Sequence, residues 1–264
     1  MIDSLKTLAQ QAGERILSFY GQPIPVEKKS DDSPLTKADL ASHHLIQDGL
    51  RSLDASIPVL SEESSQMEVS QRRSWETLWV VDPLDGTKEF IKQTGEFTVN
   101  IALIHQGKPR LGLVYVPVTG LVYWAEAGKG AFKQEAGSDP IAIHTRPADV
   151  SSLSIVASRD HAGPMVTQLL ERFPHAQTRS MGSSLKFCLV AEGAADLYLR
   201  DVPTMEWDTA AAQCVVEQAG GCVRDLEGND LTYNRADLRN PSLITLGDRG
   251  FDWNQTSPPP HSGR

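Results

Sequence analysis

The first sixty residues place apolar side chains mainly with the period of an α-helix. Apolar positions recur every three or four residues from 2 to 17, which predicts an amphipathic helix that the glycine and prolines at 21–25 end. The same spacing predicts a second helix over residues 36–50. A short strand is expected at residues 58–60, so helices precede the first sheet.

Further along the chain the pattern changes to short β-branched and aromatic runs, separated by turns that contain Gly or Pro. Consecutive strands with short turns form antiparallel hairpins. The predicted strands cover residues 78–81, 97–104, 111–118, 121–125 and 131–133. We interpret the charged segment 66–73 as a loop.

A third pattern alternates strands with helices. The predicted elements are a strand at 154–157, helices at 161–173 and 184–191, a strand at 196–200, a helix at 209–219, and strands near 222–224 and 243–246. Such alternation indicates an α/β layer. We therefore predict an N-terminal α+β part over residues 1–148, a C-terminal α/β part over 149–252 and a disordered tail over 253–264.

The composition of the 264-residue chain narrows the possible partners. It is 40% hydrophobic and has 25 Lys and Arg against 34 Asp and Glu, a net charge of −9 at pH 7. The apolar content supports a folded core, and the acidic balance argues against polymeric nucleic acid as a partner. A phosphate-bearing small molecule is still possible, because clustered carboxylates bind a divalent cation that in turn attracts phosphate.

Sequence signals for targeting and cross-linking point to a reducing compartment. Charges at Asp3 and Lys6 are incompatible with a secretory signal, and no run approaches the roughly 18 apolar residues of a membrane span. Three cysteines cannot all pair, and none form a C-x-x-C motif. We expect a cytoplasmic protein without an integral membrane span, free or peripherally associated with the inner face of the cell membrane, and a monomer or a homodimer.

The densest cluster of chemical groups is the hexapeptide Asp82-Pro83-Leu84-Asp85-Gly86-Thr87, at the predicted end of a strand. Two carboxylates held by a turn can share a divalent cation, and the amides of Gly86 and Thr87 would face an anion at a helix start. Asp82 and Asp85 would serve equally well as ordinary turn and cap residues. The hexapeptide alone leaves both interpretations open.

Other acidic residues also have two interpretations. Glu62 and Glu63 follow a predicted strand, and one interpretation is that both are solvated loop charges. The other is that Glu62 lies beside the aspartates, which requires two strands that lie side by side and end at the same edge. Asp39 stands three residues after Thr36, which fits a capping box, a catalytic role, or both. Asp208 sits where a helix begins and fits a cap or a metal ligand.

Taken in order, these motifs resemble those of a known family. They are Thr36-x-x-Asp39, Ser61-Glu62-Glu63, the hexapeptide, and Trp207-Asp208-Thr209-Ala210-Ala211. Together they resemble the metal-dependent, lithium-sensitive phosphatases of the inositol monophosphatase superfamily. Segments 86–91, 95–104, 158–162 and 182–193 resemble its 3′(2′),5′-bisphosphate nucleotidases of the bacterial CysQ type. This resemblance implies a layered α-β-α-β-α sandwich, with an antiparallel N-terminal sheet and a mixed α/β C-terminal part.

The resemblance also implies two Mg²⁺ sites, with a third left open near Glu62. The implied ligands are Glu62, Asp82 and the Leu84 carbonyl for one ion, and Asp82, Asp85 and Asp208 for the other. Carboxylates without His or Cys suit a hard ion on chemical grounds alone. In this family pattern the Thr87 hydroxyl, paired with Asp39, orients and activates the attacking water.

Substrate recognition is expected from groups further from the acidic cluster. Ser183 and Lys186 lie three residues apart on one helical face, and Arg200 ends a predicted strand. The matching positions of the nucleotidases contact the second phosphate and the adenosine, with His161 near the base; solvated surface charge is the alternative for Lys186 and Arg200. The implied substrate-binding residues are Glu62, Leu84, Asp85, Gly86, Thr87, His161, Ser183, Lys186, Arg200 and Asp208.

The function implied is hydrolysis of 3′-phosphoadenosine 5′-phosphate to AMP and phosphate, within sulfur assimilation and nucleotide recycling, with inhibition by lithium. One alternative is an inositol or sugar monophosphatase with the same metal site, and another is a non-catalytic nucleotide sensor. The presence of both Thr87 and Asp39 argues against the sensor, because binding alone requires no water-activating pair.

Overall fold

The computed structural model describes residues 1–22, 27–28, 34–64, 68–157 and 163–254. Within them the chain forms seven α-helices, fourteen short strands and two 3₁₀ turns. The helices are α1 (Ile2–Leu17), α2 (Lys37–Leu53), α3 (Val69–Arg73), α4 (Thr87–Ile91), α5 (Pro164–Arg172), α6 (Leu185–Ala191) and α7 (Glu206–Gln218). The 3₁₀ turns cover Glu62–Ser64 and Val150–Ser152.

The strands form two main sheets and one small hairpin. Their bounds are β1 (Glu27–Lys28), β2 (Pro34–Leu35), β3 (Val59–Ser61), β4 (Thr77–Asp85), β5 (Thr98–His105), β6 (Lys108–Val116), β7 (Leu121–Glu126), β8 (Gly130–Gln134), β9 (Ile141–Ile143), β10 (Ser154–Ala157), β11 (Gln177–Ser180), β12 (Leu197–Arg200), β13 (Cys222–Asp225) and β14 (Leu243–Leu246). The strands β1 and β2 pair only with each other.

A seven-stranded sheet carries the strands β3 to β9 in sequence order. The strands β4 to β9 are antiparallel neighbours, as the hairpin pattern predicts, whereas β3 runs parallel to β4. The five-stranded sheet has the order β11-β10-β12-β14-β13 and is mixed. Helices α1 and α2 cover the outer face of the larger sheet, where Leu5, Ile16 and Leu50 are fully buried.

Helices α6 and α7 lie between the two sheets and share one apolar core with both of them. The small residues of α7 allow a close approach: a side chain at Gly112 of β6 would collide with the backbone of Ala211. Helix α5 packs with the outer face of the smaller sheet. The layers are therefore α-β-α-β-α, which confirms the fold expected from the sequence. The division at 148/149 stays a prediction.

Several element boundaries differ from the sequence expectation. The β4 strand continues through the Asp82-Pro83 step, where we expected it to end, because a register shift between Asp82 and Asp85 accommodates the proline. A helix, α3, lies within the segment interpreted as a charged loop, and α7 begins three residues before position 209. Residues 255–264, most of the predicted tail, lie outside the described residues. No helix in the described part of the chain is long and apolar enough to cross a membrane.

Candidate active site

The acidic hexapeptide lies where β4 leaves the large sheet. Pairing with β5 is regular up to Asp82 opposite Asn100 and resumes only at Asp85 opposite Thr98. This bulge turns the chain, and Gly86 then adopts φ +95°, a left-handed conformation that suits glycine, before α4 begins.

Carboxylate oxygens of Asp82, Asp85 and Asp208 all lie within 4.8 Å of one another. The first two come from β4 and the third from the first turn of α7. Burial, and after it the charges of Glu62, Asp85 and Asp208, raise the pKa of Asp82 well above its usual value. Burial and the charge of Asp85 raise the pKa of Asp208 to about 8. The three side chains therefore repel one another when no cation is present.

Glu62 joins this cluster from the neighbouring strand. The β3 strand runs parallel to β4 with Ser61 beside Val81, so Glu62 follows at the level of Asp82. The Glu62 carboxyl hydrogen-bonds to Asp82, and its charge contributes to the raised Asp82 pKa. The expectation that two adjacent strand ends bring Glu62 to the aspartates agrees with this placement.

Backbone amides orient Asp82 and Asp208 without neutralising the charge of their carboxylates. Oδ1 of Asp82 accepts the Leu84 amide at 3.0 Å, and Oδ2 of Asp208 accepts the Met205 amide at 2.7 Å. Asp208 is therefore both a helix-end acceptor and a member of the cluster, so its two interpretations are compatible.

Asp85 is held by residues that the sequence patterns did not single out. Its Oδ2 accepts the Ser184 amide at 2.7 Å and the Asn100 side-chain amide at 3.2 Å. The Ser184 hydroxyl lies 2.7 Å from the same oxygen and 2.9 Å from the Asp208 carbonyl, and its single proton serves one of these acceptors. Both residues fall within the segments that carry the family resemblance, but only the folded structure places them beside Asp85.

Asp39 and Thr87 lie together at the start of α2. Oδ2 of Asp39 accepts the backbone amide and hydroxyl of Thr36 at 2.8 and 2.6 Å, which completes the expected capping box. The other oxygen, Oδ1, accepts the Thr87 hydroxyl at 3.0 Å. One carboxylate therefore caps the helix and binds Thr87 at the same time.

A cavity of about 140 Å³ opens beside the cluster. Six of the predicted substrate-binding residues line it, namely Asp85, Gly86, Ser183, Lys186, Arg200 and Asp208, and so do Glu89, Phe187, Tyr198 and Thr204, which the sequence analysis missed. Glu62, Leu84 and Thr87 lie at the neighbouring cluster and not among these lining residues. His161 lies outside the described residues.

The cationic side of this cavity is formed by Lys186 and Arg200. Lys186 is 7% exposed, so it is not the solvated charge of the alternative interpretation, and burial lowers its pKa to about 8 despite the charge of Asp85. Its Nζ donates to the Met181 carbonyl at 3.3 Å. Ser183 has φ +46°, and its buried hydroxyl has no hydrogen-bond partner within the described part of the chain. The Ser183 hydroxyl can therefore donate or accept a hydrogen bond at the cavity wall.

The donor set fits a divalent hard cation. Three carboxylates lie together, and neither His nor Cys belongs to the group. Burial and the neighbouring acidic charges raise the pKa values of Asp82 and Asp208. Oxygen donors without nitrogen or sulfur select Mg²⁺, Ca²⁺ or Mn²⁺ over zinc or copper. A metal site at this cluster is therefore consistent with its chemistry.

Comparisons with known proteins agree with the family resemblance of the sequence motifs. The sequence profile of the inositol monophosphatase family matches residues 1–249. The chain belongs to the inositol monophosphatase family. A curated relative in Salmonella typhimurium, named 3′(2′),5′-bisphosphate nucleotidase CysQ, is 49% identical over 247 residues, which cover 92% of this chain and 98% of that protein.

Solved structures show that this family member has the fold of its relatives. The crystal structure of CysQ from Bacteroides thetaiotaomicron superposes with a TM-score of 0.80 at 40% identity and covers 92% of this chain and 96% of that one. The Thermotoga maritima IMPase has a TM-score of 0.78 at 23% identity, covers 93% of this chain and 91% of its own, and shares the fold.

Proposed function

We propose that the protein is a Mg²⁺-dependent phosphoric monoester hydrolase, a 3′(2′),5′-bisphosphate nucleotidase that removes the 3′-phosphate of 3′-phosphoadenosine 5′-phosphate. The observation that carries this proposal is one cavity lined by the acidic residues Asp85 and Asp208 and by the cations Lys186 and Arg200. Such a cavity suits a substrate with two phosphates, one cleaved at the acidic end and one bound by the cations. The name of the curated relatives, 3′(2′),5′-bisphosphate nucleotidase, supports a nucleotide with two phosphates as the substrate.

The residues that would hold the metal ions come from the ends of the adjacent strands β3 and β4 of the large sheet and from the first turn of α7. Glu62, Asp82 and the Leu84 carbonyl would bind one Mg²⁺, and Asp82, Asp85 and Asp208 would bind a second; a third site near Glu62 stays open. When bound, the ions supply Lewis-acid stabilisation of the attacking and leaving oxygens. The raised pKa of Asp82 and Asp208 supports this role, since a bound cation favours their charged forms.

Thr87 and Asp39 would orient the attacking water. Because the Thr87 hydroxyl donates to Asp39 Oδ1, its oxygen lone pairs are left to accept a hydrogen bond from that water. The Thr36 contacts and the N-terminus of α2 stabilise Asp39 as a charged acceptor. The water oxygen adds to phosphorus as the bond between phosphorus and the ribose 3′-oxygen breaks, one proton of the water passes to that 3′-oxygen, and the products are AMP and phosphate.

Lys186 and Arg200 would bind the 5′-phosphate, which is not cleaved. Arg200 Nε donates to the Val202 carbonyl at 3.1 Å, and the next residue, Asp201, accepts the Gly163 and Met165 amides at the start of α5. These contacts fix the chain around Arg200. Ser183 would contact the nucleoside, and so would His161, which the sequence resemblance places near the base.

A cytoplasmic place in sulfur metabolism is part of the proposal. All three cysteines are buried and unpaired, which suits a reducing compartment. Peripheral membrane association finds no support among the described residues. Lithium inhibition is expected at subsaturating Mg²⁺, because of the family resemblance and because we expect the second cation to be held weakly.

A substrate panel tests the proposal. Phosphate release is measured with Mg²⁺ from 3′-phosphoadenosine 5′-phosphate, its 5′-phosphosulfate analogue, AMP, inositol 1-phosphate and fructose 1,6-bisphosphate. A charge-assisted contact to the second phosphate should favour the adenosine bisphosphate over the monophosphates by at least about tenfold in kcat/KM. Equal or faster turnover of inositol 1-phosphate would contradict the nucleotidase assignment, and tight binding without turnover would support the sensor instead.

A further inference from the structure

Helix α2 presents three buried polar side chains on the face that meets the two acidic strand ends. Asp39, Ser42 and His43 occupy positions i, i+3 and i+4, and they are 1%, 0% and 5% exposed. Asp39 binds Thr87, as described above. Ser42 and His43 have no role in the reaction outlined so far.

Ser42 holds the peptide unit at the centre of the hexapeptide. Its hydroxyl donates to the Pro83 carbonyl at 2.7 Å, and the amide of the same peptide unit, on Leu84, donates to Asp82 Oδ1 at 3.0 Å. The Pro83–Leu84 peptide is therefore fixed on both sides. Its orientation determines where the Asp82 carboxylate and the Leu84 carbonyl lie.

His43 makes the corresponding contact with the neighbouring strand. Its Nδ1 lies 2.9 Å from the hydroxyl of Ser61, which is buried and directly precedes Glu62. Ser61 is in register with Val81, the residue before Asp82. A single helix face thus contacts the chain next to both Glu62 and Asp82.

These contacts differ from the usual way in which a helix satisfies its own hydroxyl groups. Ser52, further along the same helix, donates to the Asp48 carbonyl four residues back. Ser42 instead reaches a carbonyl 41 residues away, and His43 a hydroxyl 18 residues away. The bonds join separate elements at the acidic cluster.

We propose that Ser42 and His43 are positioning residues of the metal site, which fix the backbone that presents Glu62, Asp82 and the Leu84 carbonyl. The inference rests on the proposed function only through the metal site, not through the identity of the nucleotide. Partners of this kind orient ligands in other metalloproteins, where their loss weakens metal affinity about 10–100-fold.

The test measures Mg²⁺ binding to metal-free protein by titration calorimetry and by the Mg²⁺-induced rise in unfolding temperature. Ser42→Ala and His43→Phe remove the hydrogen bonds, whereas Ser42→Thr and His43→Asn can retain them. Ser154→Ala is the matched control, because the Ser154 hydroxyl is equally buried but has no partner within the described residues. Unfolding temperature without Mg²⁺ shows that each variant is folded.

We expect Mg²⁺ to bind at least about tenfold more weakly to Ser42→Ala and His43→Phe, and near normally to the retaining variants and the control. The kcat of the weakened variants should recover as the Mg²⁺ concentration rises, which a general loss of structure would not produce. Unchanged Mg²⁺ affinity in Ser42→Ala and His43→Phe, or an equal loss in Ser154→Ala, would overturn the proposal. If Ser42→Ala does not fold, Ser42→Cys, a weaker donor of similar size, takes its place with the same criteria.

Failure of the proposed function would look different. If the wild-type protein binds Mg²⁺ but does not hydrolyse 3′-phosphoadenosine 5′-phosphate, the substrate assignment is wrong, and the affinities still decide the role of Ser42 and His43. If the wild-type protein binds no Mg²⁺, both the metal site and the positioning role are wrong.

Discussion

Replacing Asp208 with Asn should stabilise the metal-free protein and weaken its response to Mg²⁺. The carboxylate oxygens of Asp82, Asp85 and Asp208 lie within 4.8 Å of one another. Two unit charges at that distance repel by about 3 kcal/mol at an effective dielectric constant of 20. Asn keeps the side-chain volume and the oxygen that accepts the Met205 amide, so Asp208→Asn removes mainly the charge.

The pH dependence of this gain follows from the sign of the pKa shift. The pKa of Asp208 is raised from 3.8 to about 8 in the fold, so its charged form destabilises the folded state. The destabilisation begins above pH 3.8, where the unfolded side chain ionises, and grows until the pH passes about 8. Asp208→Asn should therefore match wild type near pH 4 and exceed it by about 3 kcal/mol near pH 8.

Differential scanning fluorimetry in EDTA at several pH values measures the effect. About 3 kcal/mol corresponds to a rise of roughly 6–12 °C in unfolding temperature for a domain of this size. Asp139→Asn, the same change at an exposed loop position, should leave the unfolding temperature unchanged. Added Mg²⁺ should stabilise wild type more than Asp208→Asn. An unfolding temperature for Asp208→Asn at or below that of wild type in EDTA would refute the argument that the cluster is a repulsive cation site.

Three further substitutions separate substrate binding, chemistry and stability. Lys186→Met should raise KM for the adenosine bisphosphate about 10–100-fold while Mg²⁺ affinity holds, and an unchanged KM in steady-state kinetics would place the second phosphate elsewhere. Asp39→Asn should lower kcat about 10²–10⁴-fold, since Thr87 loses its charged acceptor; Mg²⁺-induced stabilisation should persist, and a kcat near wild type would exclude the proposed role. The buried Glu206 carboxylate accepts the Asn234 and Arg235 amides on separate oxygens at 2.7 and 2.9 Å. Although burial raises the pKa of Glu206, Glu206→Gln replaces one of these acceptor oxygens with a donor that faces an amide, so it should cost about 2–4 kcal/mol in urea unfolding, and a loss below about 0.5 kcal/mol would contradict this.

Local sequence patterns predicted the long elements and the acidic residues because both depend on neighbours in the chain. The helical period gave α1 and α2, and the turn-forming hexapeptide pointed to Asp82 and Asp85. The β11 strand was missed because its sequence, Gln-Thr-Arg-Ser, has no apolar residue and all four side chains are exposed. The β9 strand has only three residues at a sheet edge, too few for a period to be visible.

The partners of the acidic residues could not be predicted in the same way. Asn100 and Ser184 contact Asp85 across 15 and 99 residues of sequence, and nothing in their local pattern distinguishes them from other polar residues. The extension of β4 beyond Asp82 was missed for a related reason. Proline normally ends a central strand, and only the pairing with β5 reveals the bulge that accommodates it.

The way the acidic residues are held explains how the site can be both rigid and negatively charged. Asp82, Asp85 and Asp208 each have an oxygen fixed by a backbone amide, from Leu84, Ser184 and Met205 respectively. An Arg or Lys paired with these carboxylates would fix them equally well, but it would neutralise the charge that attracts a cation and compete for the same oxygens. Neutral donors provide the orientation without that competition. The cations Lys186 and Arg200 instead line the adjoining cavity, where they can bind a second phosphate.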